Sequence, residues 1–230
     1  MDTIENVASS SRHLARPAFE TTSRGRWISV AGAAYVTSWI VGLLLAPQTP
    51  GSTAPDADIH AYYADSGGQI LVQSSLIHGL AGLAIAALAV LVPAAAQAAP
   101  RVKGFVIACG FGAALVSLLQ VAFAVAGVVS ASSRTAGTSA FCFDAVNRAD
   151  TLKLVLLAGF AAAVATAGTR AGLLGRWARR LTWALVVALP VGGLGFVADN
   201  PVLTIVLYAS LPLLLIWAAV ISWQLGRRAH

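Results

Sequence analysis

The chain has 230 residues, of which 58% are hydrophobic and 10% charged, and its mean hydropathy is +0.78. An ordinary soluble domain carries roughly 25% charged residues, so a water-soluble fold is excluded by the apolar surface it would have to expose. The net charge of +6 and the isoelectric point near 10.0 read, in so apolar a chain, as positive charge kept on one side of a membrane and drawn to lipid headgroups, not as a nucleic-acid footprint.

A helix rises 1.5 Å per residue, so a hydrocarbon layer of about 30 Å needs roughly 20 apolar residues per crossing. Six windows approach or exceed that length: 27–46, 70–98, 104–129, 152–168, 181–198 and 202–223. They predict an all-α fold, a polytopic membrane bundle of six transmembrane helices in a single domain over 24–228. The polar leader 1–23 reads as a disordered cytoplasmic segment. The first window is longer than a signal-peptide core, which favours an uncleaved signal-anchor helix.

After the Pro/Gly/Ser-rich stretch 47–55, Asp56 reads as the N-cap of a short outer amphipathic helix whose Ile59, Tyr62 and Tyr63 share one face. That face is expected to lie on the outer leaflet, and Gly67-Gly68 to break the helix before the second span. The segment 130–150 reads as a long outer loop, helical near 141–148. Lys153, just inside the short fourth window, is expected to snorkel to the interface. Small residues spaced by four, at Gly104, Ala108 and Gly112 and again at Gly159, Ala163 and Ala167, predict close helix packing. The same spacing would serve a homo-oligomer.

With six spans, the N-terminus, the second and fourth loops and the C-terminus share a side. That side holds Arg12, Arg16, Arg24, Arg26, Arg101, Lys103, Arg170, Arg176, Arg179, Arg180, Arg227 and Arg228, 12 of the 15 basic residues. The positive-inside rule makes it cytoplasmic. Cys109 and Cys142 fall at different depths and lack metal or redox spacing, so no bridge is expected.

Polar groups at membrane depth are the default functional candidates. Gln73, His78, Gln120, Asp150, Lys153 and Asp199 are grouped here as one outward-facing, ligand-binding vestibule. His78, roughly 12 Å inside its span, has the chemistry to relay protons, hold an anion or ligate a metal; it would equally serve as a neutral core histidine bonded to Ser74 or Gln120. Haem is disfavoured because no second histidine falls at membrane depth. The pairs Asp144/Arg148 and Asp150/Lys153 read as helix-end ion pairs of small value. No serine-nucleophile, zinc-protease, nucleotide-loop or paired-acid motif is present, so no catalytic, metal or cofactor residue is assigned.

The run 56–80, Asp144-x-x-Asn147 before the fourth helix, Gly175-Arg176-Trp177-Ala178 and the last span ending in Arg227-Arg228 resemble the uncharacterised multi-spanning membrane proteins of high-GC actinobacteria. The resemblance implies a fold and a bacterial inner membrane, and brings no activity. Three functions remain open: a non-enzymatic binder of a ligand, lipid or partner; a small-solute or proton-linked transporter using His78 and Gln120; and a lipid-modifying enzyme using Asp150, Asp199 and His78. The balance of motifs is against an enzyme.

Overall fold

The computed structural model describes residues 18–51, 53–133, 136–198 and 200–228. The leader 1–17 and Asp199 lie outside the described residues. All described elements are helical: α1 (Ala18–Leu44), α2 (Asp56–Ser74), a π-helical turn (Ser75–Leu80), α3 (Ala81–Ala95), α4 (Pro100–Ser132), α5 (Ala136–Arg170), α6 (Arg176–Gly193), a 3-10 turn (Leu194–Phe196) and α7 (Pro201–Arg228). Five continuous helical stretches are long and apolar enough to cross a membrane: Ser23–Leu44, Asp56–Ala95, Pro100–Ser132, Gly137–Arg170 and Val202–Arg228. Helix α6, which holds the expected window 181–198, is not among them: it has 18 residues and spends its first turns on Arg176, Arg179 and Arg180.

The helices close a ring. α1 packs on α3 and α7, α3 on α4, α4 on α5, α5 on α6, and α6 on α7. The centre is apolar, with Phe160, Leu154, Leu185, Leu214 and Trp217 among its fully buried side chains. Two of its polar side chains are paired: Trp217 Nε1 donates to Thr182 Oγ1 at 2.9 Å, and that hydroxyl donates to the Ala178 carbonyl at 2.8 Å.

Four expectations are corrected. The segment 18–23 is not a disordered leader but the first turns of α1. Gly67-Gly68 do not break a helix: α2 runs through them, and with the π turn and α3 forms one 40-residue helix. Its residues Ile59 and Tyr63 are buried against Ala124, Ala131 and Phe143 of α4 and α5 rather than spread on a leaflet. Gly67 serves close approach instead, since a Cβ there would lie 2.9 Å from a Val128 methyl, and one at Gly127 would lie 2.6 Å from the Tyr63 ring. Finally, 130–150 is not a loop, because α4 continues to Ser132 and α5 starts at Ala136.

The result is a second layer, a cap made of the N-terminal part of α2, the last turns of α4 and the first turns of α5. Hydroxyls bind it together: Ser139 Oγ lies 2.9 Å from Ser130 Oγ and 3.5 Å from His60 Nδ1. In the ring itself, Gly159, Ala163 and Ala167 lie on the packed side of α5. On α4 the expected stripe holds only at Gly112, where a Cβ would lie 3.4 Å from a Leu156 methyl, while Ala108 is exposed. Gly104 meets nothing within 4 Å, and the close contact is at Gly110, where a Cβ would lie 2.4 Å from Ala89 Cβ.

A buried charge network under the cap

Below the cap, four helices bring one polar or aromatic group each to a single point. That point is the Lys153 ammonium, whose residue is 3% exposed. Lys153 therefore does not snorkel; its side chain turns inward. From one turn earlier on α5, Asp150 forms an ion pair with it, both side chains nearly buried. Gln120 of α4, fully buried, accepts from Lys153 Nζ at 2.9 Å through Oε1 and donates through Nε2 to the Val146 carbonyl at 3.1 Å. His78 Nδ1 lies 3.1 Å from the same ammonium. Trp39 of α1 presents its ring 5.7 Å from Nζ, near enough for a cation–π contact.

An ammonium has three protons to donate and nothing to accept with. Asp150, Gln120 and His78 take all three. The arrangement also fixes the histidine: a nitrogen that accepts from Lys153 carries no proton, so neutral His78 holds its hydrogen on Nε2. The expected Ser74 partner is not used. Ser74 Oγ is buried with no hydrogen-bond partner among the described residues.

His78 reaches this point from the π-helical turn. Such turns admit an extra residue into the helix and often mark functional sites; each extra residue rotates the N-terminal part of the helix by about 100° relative to the C-terminal part. One continuous helix can thus aim Ile59 and Tyr63 at the cap core and His78 at α5.

Above the network is a cavity of about 200 Å³, lined by Gln73, Ser74, His78, Asn147 and Asp150 on its polar side and by Tyr62, Tyr63, Phe143 and Phe196 among its apolar walls. Beneath Lys153 is a second void of about 10 Å³, lined by Tyr35, Trp39, Ser117 and Lys153 among others, room for about one water. Tyr35 Oη in its wall is buried and unpartnered.

No family model matches this chain, and neither a curated protein nor a solved structure is significantly similar to it.

Of the six residues grouped from sequence, His78, Gln120, Asp150 and Lys153 converge, with Gln73 on the cavity wall above them. Gln120 and Lys153 are not vestibule surface; they form the layer behind it. The two ion pairs prove unlike. Arg148 Nε to Asp144 Oδ2, at 2.7 Å, is exposed on both sides, whereas Asp150–Lys153 is buried and is no longer a minor helix-end contact. Sequence reasoning missed Trp39 and Tyr35. The available signal was a tryptophan 12 residues inside a span that begins at Trp27, far from the interfacial belt where tryptophan collects. Both cysteines are buried and unpaired, Cys142 within α5 and not on an outer loop.

Proposed function

We propose that this chain is a non-enzymatic membrane protein that binds a small, polar, uncharged ligand in the cavity between the cap and the Asp150–Lys153–His78–Gln120 network. The bundle crosses the membrane six times with both termini cytoplasmic, consistent with the distribution of basic residues and with the resemblance to bacterial inner-membrane proteins. The helices of 40, 33 and 34 residues each exceed the about 20 needed for a crossing, so the cap stands beyond the hydrocarbon on the outer side.

The observation that carries the reading is the charge network at the cavity floor. Its cation and carboxylate neutralise each other and its ammonium is saturated, so it offers no net charge to an ion. What it leaves for a ligand is a set of neutral groups on the cavity wall: the His78 Nε2–H and the amides of Gln73 and Asn147. Aromatic walls opposite suit a solute with one apolar face.

The test uses a protein in which Cys109 and Cys142 are replaced by alanine. Gln73→Cys is expected to react with a charged, membrane-impermeant thiol reagent added outside, and a small polyol or sugar bound in the cavity is expected to slow that reaction. The half-exposed neighbouring position, Val72→Cys, faces lipid and is expected to stay unlabelled. Equal labelling at both positions, or no protection by any solute of a neutral polar panel, overturns the reading. The orientation has its own test: labelling of Val102→Cys and Ala57→Cys from the same face would end it.

A second reading, proton-linked transport, is favoured by one feature. Lys153 stands between the upper cavity and the water-sized void at the unpartnered Tyr35 hydroxyl, which is the layout of a relay. Proteoliposomes carrying His78→Ala that retain the flux and pH response of the parent protein would remove it.

A further inference from the structure

At the opposite end of α5 from the network, the turn into α6 forms a cleft of about 470 Å³ lined by Arg170, Arg176, Arg179 and Arg180, with Thr169 and Trp183 among its remaining walls. Building on the membrane placement above, we propose that this cleft binds the phosphate-bearing headgroup of an anionic phospholipid of the cytoplasmic leaflet.

Three observations converge on an anion. First, among the described residues no carboxylate pairs with any of the four arginines; the ion pairs found are Asp144–Arg148 and Asp150–Lys153. Second, three of the four sit in the first turns of α6, the positive end of the helix dipole, with no acidic residue in the first turn and no side-chain cap on the helix. Cations there are unfavourable unless an anion compensates them. Third, the usual reason for arginine beside a helix C-terminus, capping its carbonyls, is met elsewhere: Arg228 donates to the Gly172 and Leu173 carbonyls at 3.3 Å. The turn is further held by Gly175 N–H donating to Gln224 Oε1 at 3.1 Å. The arginines therefore border a braced cleft whose charge is open.

The cleft walls favour a lipid over free phosphate. Trp183, 55% exposed, stands one turn beyond Arg179 and Arg180 toward the apolar part of α6, where the glycerol backbone of a lipid held by the arginines would lie. Trp177, with Arg180 stacked 5.6 Å from its ring, marks the headgroup level where amphipathic rings collect. Basic clefts between helices at this face are suited to anionic headgroups.

The experiment uses the full chain, delipidated in detergent, with phosphatidylglycerol, phosphatidylcholine or inorganic phosphate as probe, read by native mass spectrometry and thermal shift. Phosphatidylglycerol is expected to bind and stabilise the parent protein, and phosphatidylcholine is not. Arg179→Gln is expected to weaken binding about fivefold, and the triple change Arg176→Gln, Arg179→Gln, Arg180→Gln about a hundredfold. All three side chains are exposed, so the variants are expected to fold, and the single variant carries the test if the triple does not. Arg101→Gln with Lys103→Gln, which removes two charges from the first turn of α4, between the losses in the single and triple variants, is expected to leave binding unchanged. Binding lost equally in that control would show mere surface attraction and overturn the site. Stabilisation by inorganic phosphate that phosphatidylglycerol does not reproduce would overturn the lipid. Correct orientation by the Val102 and Ala57 labels, with no phosphatidylglycerol preference, sinks this proposal alone.

Discussion

Helix α5 carries charge in both halves. In its N-terminal half Lys153 is buried with a carboxylate, an amide oxygen and an imidazole nitrogen around it, whereas its C-terminal end sets Arg170 beside three more arginines with no described acid in reach. The first region is closed: every donor of the cation is used, and what remains for a ligand is neutral. The second is open: among the described residues no carboxylate pairs with its arginines. A count of charges along the sequence treats the two alike. Burial and pairing separate them, because a charge removed from water must be matched where it stands.

The largest expected effect comes from breaking the closed region. Asp150→Ala leaves the Lys153 ammonium buried without its counter-charge and is expected to cost about 3–5 kcal/mol, or to prevent accumulation of folded protein. Asp150→Leu combined with Lys153→Met removes both charges and is expected to recover most of that loss. Unfolding of the single and double variants in the same detergent checks both. If Asp150→Ala falls within about 1 kcal/mol of the parent protein, the pair is water-exposed and the contrast with the arginine cleft disappears.

Much of the architecture was legible in the sequence. Long apolar windows are set by helix rise and hydrocarbon thickness, and the lateral packing of α5 followed from Gly159, Ala163 and Ala167. The cap was not legible. Gly67-Gly68 carry the local signature of a break and 130–150 that of a polar loop, yet packing of Tyr63 over Gly127 and of Val128 over Gly67 keeps both segments helical, an override of propensity by tertiary contact. The polar residues of the network could be named because charged and amide groups are rare in these windows. Their joint geometry could not, since it depends on a π turn that composition does not announce. Lys153 near a helix start looks the same whether it turns out or in.

A smaller effect sharpens the comparison by testing how tightly the ring around the network is held. A Cβ at Gly110 would lie 2.4 Å from Ala89 Cβ, which has no side-chain torsion by which to retreat, and 3.2 Å from the Phe160 ring. Gly110→Val is therefore expected to cost about 1–3 kcal/mol by overpacking and to move Gln120, on the same helix, out of reach of Lys153. Gly104→Val, where nothing lies within 4 Å, is expected to change the melting temperature little. Similar melting temperatures for the two variants would mean that α3 and α4 do not meet at Gly110.

The smallest effect separates two pairs on one helix. Asp144 and Arg148 are bonded at 2.7 Å with side chains 57% and 71% exposed, and water competes for both partners. Arg148→Ala is expected to change stability by no more than about 0.5 kcal/mol, and less at high salt. Two residues further along α5 the cap closes over Asp150, and a pair of the same chemistry becomes one whose loss is several-fold larger. The distinguishing measurement is the salt dependence of unfolding in Arg148→Ala and Asp150→Ala compared in one detergent. A flat response for Asp150→Ala alongside a screened response for Arg148→Ala places the boundary between water and protein interior between residues 148 and 150; equal responses would place both pairs in solvent and remove the floor of the proposed ligand cavity.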